Sequence, residues 1–204
     1  MGGTFLKIII DQLNQYIQSV EPHSTSAPTS LPVKLGNIAT ARFAGGDNGD
    51  LSEKVVVSLV NIAEEAAVKN LQNGKIRNGQ YVSMHPVVHV NLFLLFTANF
   101  DSYEVAINHL FRVIEFFQGR KIFKFKNSPV AGLSLQNIEN MGEAEITIEL
   151  NTLSFEQLND LWGSLGGKQM PFVLYKCRLL PIQMEQVLQH EGIITEIDLT
   201  TKGP

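Results

Sequence analysis

Residues 151–182, NTLSFEQLNDLWGSLGGKQMPFVLYKCRLLPI, constrain the fold most, because they spell a helix with both ends specified and a buried strand behind it. Ser154 and Gln157 have the spacing of a capping box, in which the hydroxyl accepts from the third amide and the Gln side chain reaches back to the cap. Leu158, Leu161, Trp162 and Leu165 fall on one helical face. Gly166-Gly167 then stops the helix, since glycine enters the left-handed region without a Cβ clash. The strand FVLYKCRLLPI holds the sole cysteine, Cys177, which excludes an internal disulfide. Within that apolar run it reads as a small buried hydrophobe and not as a nucleophile.

The remaining chain alternates strand and helix patterns. Phe5 to Val20 predicts a helix with Leu6, Ile9, Ile10, Leu13, Ile17 and Val20 at three- and four-residue spacing. Phe5, Ile8 and Tyr16 widen that stripe, so the helix either packs on two sides or also meets a neighbouring subunit, with Phe5 and Ile8 as contacts. Residues 21–32, EPHSTSAPTSLP, have linker composition. VKLGNIATARF predicts a short strand broken at Gly36-Asn37, and AGGDNGD (44–50) a flexible loop whose acids lack calcium-loop spacing. KVVVSLVNIAEEAAV (54–68) is apolar on both faces, the mark of a strand buried on both sides. Asn73-Gly74 and Asn78-Gly79 are turn dipeptides and predict a long protruding hairpin or loop over residues 71–82. The strand after it has Val88, Val90, Leu92, Leu94, Phe96 and Ala98 on one face.

Asp101 and Glu104 have capping-box spacing for the next helix, with a core stripe of Tyr103, Ile107, Leu110, Ile114 and Phe117, flanking Phe111, Val113 and Phe116, and a stop at Gly119. KIFKF (121–125) predicts a short edge strand. EAEITIEL (143–150) turns Ala144, Ile146, Ile148 and Leu150 inward, and GIITEIDLT predicts a last strand. The expected fold is therefore α+β. It is a single domain over 1–204, a mixed and mostly antiparallel sheet with about three helices packed on it, and a C-terminal tail (183–204) whose role the sequence leaves open.

Little here points to catalysis. His85 and His89 are four apart, but on a strand that separation is about 13 Å, too far for one zinc. Glu143, Glu145 and Glu149 form a solvated row. GSLGGKQ (163–169) resembles a phosphate loop only at first sight, because it follows a helix and lacks the hydroxyl after lysine. No nucleophile elbow, dinucleotide fingerprint or zinc-protease motif occurs. No cofactor or metal is expected. A net charge of -4 gives no basic field for nucleic acid. The longest apolar run, 87–100, is polar-interrupted and too short to span a bilayer, and the N-terminal residues lack a secretory signal, so cytoplasmic synthesis is expected. The charged fraction of 18% is a thin coat, consistent with a surface partly covered by a partner.

Read together, LPVKLGNIA, VVVSLVNIAEE, HPVVHVNLFLLFTANFDSYEVAINHLFRVIEFFQ and LNTLSFEQLNDLWGSLGGKQMPFVLYKCRLL resemble the tail-terminator, or cap, proteins of extracellular contractile injection systems, the phage-tail-like particles. The resemblance covers most of residues 31–182. It implies a nonenzymatic ring, expected to be hexameric, that ends the inner tube and sheath and joins them. Its implied partners are further copies of itself, the tube protein and the sheath protein. It also implies assembly in the cytoplasm and a place in a released particle. A sixfold ring needs head-to-tail surfaces, which a sheet edge or hairpin supplies by strand addition. Ile76, Arg77 and Tyr81 on the hairpin are accordingly the candidate contacts with a neighbouring subunit or the tube. The competing readings are a monomeric adaptor and a ligand-binding α/β domain that uses the His85/His89 region.

Overall fold

The apolar runs of the sequence become the middle of one six-stranded sheet. The computed structural model describes residues 2–20, 32–40, 51–65, 74–77, 80–84, 88–124, 145–166, 168–182 and 187–192. In chain order these form α1 (Gly2–Val20), β1 (Val33–Leu35), a 3-10 turn (Ile38–Thr40), β2 (Lys54–Glu64), β3 (Gly74–Arg77), β4 (Gln80–Met84), β5 (Val88–Asn99), α2 (Tyr103–Gly119), β6 (Ile122–Lys124), β7 (Glu145–Leu150), α3 (Phe155–Ser164), β8 (Phe172–Ile182) and β9 (Val187–Gly192). The large sheet has the order β1-β2-β5-β8-β7-β6. It is mixed: β1 runs parallel to β2, while β6–β7 and β7–β8 are antiparallel. A second sheet has the order β3-β4-β9. The chain forms two compact units, Met1–Ala63 with Val90–Leu180, and Glu64–His89 with Pro181–Pro204. The sequence offers no linker at those junctions, because each lies at or within a strand pattern.

Period-2 alternation on the central strands feeds two separate cores. Val55, Val57, Leu94, Phe96, Tyr175 and Cys177 join one buried cluster with Phe5, Ile9, Leu13 and Ile17 of α1 and Val113, Phe116 and Phe117 of α2. The intervening residues Val56, Leu95 and Leu174 join another with Trp162 of α3, Ile38 and Met170. The sheet is therefore covered by α1 and α2 on one face and by α3 on the other, which is why its strands are apolar on both sides. The α+β expectation, with a mixed sheet and three helices, holds for the described residues.

Aromatic rings organise the first core. Phe96 lies with its ring centroid 5.3 Å from Phe117 and 5.6 Å from Tyr175, both edge-on, and Phe117 and Tyr175 are 4.6 Å apart. Offset and edge-to-face pairs of this kind add to the area term of burial. The same burial shifts two titrations. It pushes the Tyr175 phenol up to about 12 and the Cys177 thiol up as well. The folded chain therefore keeps protons that the unfolded chain releases, so stability falls as pH rises through the ordinary thiol and phenol range. Urea midpoints should decline from about pH 9 and more steeply above about pH 10. Tyr175→Phe should flatten the part of that decline above about pH 10.

The helix after residue 151 matches its sequence signature. Gln157 N–H donates to Ser154 Oγ at 3.2 Å and Ser154 N–H to Gln157 Oε1 at 3.0 Å, closing the box. Gly166 takes φ of +102°, a conformation a side chain would strain. Trp162 is buried, and Leu158, Leu161 and Leu165 pack beside it.

Elsewhere the structure corrects the expectation. The buried face of α2 is Ala106, Leu110, Val113, Phe116 and Phe117, whereas Tyr103 is 71% exposed. The rotation follows from Phe116, which lies between Tyr16 of α1, at 5.5 Å, and Phe123 of β6, at 6.2 Å. The helix begins at Tyr103 as expected, but its capping residue differs. Ser102 stands at its N-cap with no side-chain cap bond, and the Asp101 N–H donates to Glu53 Oε1 at 2.8 Å. Leu150 is half exposed, since β7 ends there, while Ile146 and Ile148 are buried as expected. The described last strand is Val187–Gly192, so residues 193–200 of the expected one lie outside the described residues. So do the linker 21–31, the loop 44–50, His85 and Ala144.

Candidate assembly interface

The hairpin foreseen from its turn dipeptides is present. β3 and β4 pair antiparallel, with Arg77 opposite Gln80 and Ile76 opposite Tyr81. That register leaves a two-residue connection, Asn78-Gly79, the loop length that asparagine-glycine favours. The two dipeptide residues themselves lie outside the described residues. β4 also pairs with β9, from Gln80 opposite Gly192 to Met84 opposite Val187, with a register shift at Ser83/Met84. Part of the C-terminal tail is thus the third strand of this small sheet. Sequence reasoning missed it because VLQHEG is polar and does not alternate.

The structure places Ile76, Arg77 and Tyr81 near the turn end of the hairpin, Ile76 opposite Tyr81 and Arg77 opposite Gln80. It does not bring Phe5 and Ile8 to any surface. Both are fully buried in the core beneath α1, so their side chains have no area left for a neighbouring subunit. The wide stripe on α1 reflects a helix packed on two sides, against the sheet and against α2.

Exposed apolar side chains on the larger unit include Leu59 and Ile62 of β2, Phe111 of α2, and Phe155, 92% exposed at the start of α3. Two shallow grooves lie on the same unit. One, about 420 Å³, is lined by Tyr103, Ile107, Leu110 and residues 169–172. The other, about 380 Å³, has Val60, Phe93, Leu153 and Leu161 in its wall. Neither is lined by a carboxylate, histidine, lysine or cysteine, so what they offer is surface complementarity. Among the described residues no group of three His, Cys, Asp or Glu is placed to hold a metal ion, and no helix is long and apolar enough to cross a membrane.

The sequence model of the Pvc16 N-terminal domain matches residues 5–196, nearly the whole chain. The chain belongs to the Pvc16 N-terminal domain family. The resemblance read from the motifs is borne out at that level. Two solved structures are similar to this Pvc16-type chain. The PVC sheath/tube terminator of an extracellular contractile injection system, in its extended state, is 16% identical with a TM-score of 0.49, over 74% of this chain and 50% of that one. The anti-feeding prophage cap, a tube-terminating cap, is 15% identical with a TM-score of 0.46, over 72% of this chain and 49% of the other. The chain spans about half the length of each. No curated protein matches it.

Proposed function

We propose that this Pvc16-type chain is a structural cap of a contractile injection system, ending the growth of inner tube and sheath and joining the two layers. The observation that carries the reading is the family match over residues 5–196, coincident with the motifs that first suggested a terminator. One of the similar structures is named a sheath/tube terminator and the other a tube-terminating cap. The cap is a ring of identical subunits, sixfold, held by head-to-tail contacts. Its partners are the tube protein and the sheath protein, and no reaction is catalysed. Assembly takes place in the producing cell, and the ring leaves with the particle.

The hairpin supplies the contact between neighbours. β3 stands at the edge of the small sheet and β4 at its centre. An edge strand accepts an incoming strand through its backbone, and aromatic and arginine side chains are frequent anchors at such joints. Ile76, Arg77 and Tyr81 are the residues assigned to it.

Negative-stain electron microscopy of the purified protein, alone and mixed with tube protein, tests this reading. Closed rings, free or seated on tube ends, are expected. A strict monomer that leaves tube ends bare would instead favour an adaptor.

A further inference from the structure

The six-stranded sheet has one edge at β1, and a side chain occupies its first residue, Val33. Pro32 C=O accepts from Val55 N–H at 2.8 Å, and Gly36 N–H donates to Val57 C=O at 3.1 Å. In a parallel ladder alternate residues bond to the same neighbour, so residues 32, 34 and 36 face β2, and Val33 and Leu35 turn their backbone groups outward. Outward N–H and C=O groups on an edge are a template for another strand. At Val33 both are taken. Val33 N–H donates to Asn14 Oδ1 at 2.8 Å, and Asn14 Nδ2 donates to Val33 C=O at 3.0 Å. A primary amide presents one donor and one acceptor side by side, as the peptide of an adjacent strand would.

Asn14 is 2% exposed, on the face of α1 that otherwise buries Ile10, Leu13 and Ile17. A polar side chain there is costly unless it is bonded, and an apolar one would serve the core better. Its placement is explained by what it does to Val33.

We propose that Asn14 is an edge lock. It stands in for a seventh strand and keeps a second copy of this chain from extending the large sheet at β1. For a subunit that joins its neighbours by strand addition elsewhere, blocking pairing at Val33 removes one competing mode of association at β1. The lock does not depend on the chain being a cap, and it would operate in a monomeric adaptor equally well.

The test uses the full chain with Asn14→Leu and Asn14→Asp, and Leu13→Ala as a control that weakens the same helix with the lock intact. Two quantities are read: amide exchange of Val33 relative to that of Phe96 in the core, and sedimentation at rising concentration. In Asn14→Leu the Val33 rate relative to Phe96 should rise about 10- to 100-fold, because its N–H loses its acceptor. Species heavier than wild type should appear with concentration. Leu13→Ala should leave both the ratio and the sedimentation as in wild type. Asn14→Asp keeps an acceptor for Val33 N–H but removes the donor to Val33 C=O, so it is read by sedimentation, which serves if Asn14→Leu does not fold. An unchanged Val33 ratio in Asn14→Leu, or sedimentation of the Asn14 variants no different from that of Leu13→Ala, would overturn the proposal.

Discussion

Replacing Phe96 by alanine should cost the fold about 3–5 kcal/mol, the range for deleting a fully buried aromatic. Phe96 is completely buried on β5, an inner strand of the large sheet, with Phe117 and Tyr175 edge-on against it. The cavity would open between sheet and α2, where the neighbouring rings are fixed by their own packing and collapse poorly. For a chain of this length each kcal/mol moves the melting temperature by about 2–4 °C, so a fall of about 6–20 °C is expected. Phe155→Ala supplies the contrast. Its ring is 92% exposed, and loss of it should change stability by no more than about 0.5 kcal/mol. Thermal and urea unfolding of both variants would check the pair. A Phe96→Ala protein within about 1 kcal/mol of wild type would mean the core is not built around that ring.

The second large effect is on assembly and not on stability. Deleting residues 74–79 removes β3 and its turn, and takes Ile76 and Arg77 with them. The cores formed by α1, α2, α3 and the six-stranded sheet contain none of these residues. The variant should therefore stay folded, with circular dichroism and a melting transition close to wild type, yet form no rings and leave tubes uncapped. Arg77→Ala alone should weaken ring formation by about 10-fold or more if it acts as an anchor. Normally capped particles carrying the deletion would remove the hairpin from the account.

What the sequence disclosed and what it hid separate along a physical line. Ser154, Gln157 and Gly166 were legible because capping and helix termination are local: the residues that form each bond lie within a turn of one another. Asn78-Gly79 gave the hairpin for the same reason, whereas Gly74 of the other dipeptide opens β3. The two-sided burial of Val55, Val56 and Val57 was legible because it needs only an unbroken apolar run. The buried face of α2 was not, since it is set by Tyr16 and Phe123, distant in sequence. Asp101 has the spacing of a cap, but its amide is taken by Glu53. Phe5 and Ile8 resembled spare surface on a wide stripe only because the second partner of α1, the helix α2, cannot be seen from α1 itself. Asn14 carries no sequence signal at all. One asparagine on an apolar helix face acquires meaning only when Val33 is placed against it. The pairing of Ile76 with Tyr81 could be read from the turn, whereas β9 was concealed by its polar composition.

The decisive measurement is the length distribution of particles made by producing cells that lack this chain, taken from electron micrographs and compared with the parent strain. A structural cap predicts tubes and sheaths of scattered length with unfinished ends, restored to one length when the chain is supplied again. Particles of the parental length with finished ends, made without it, would contradict the account.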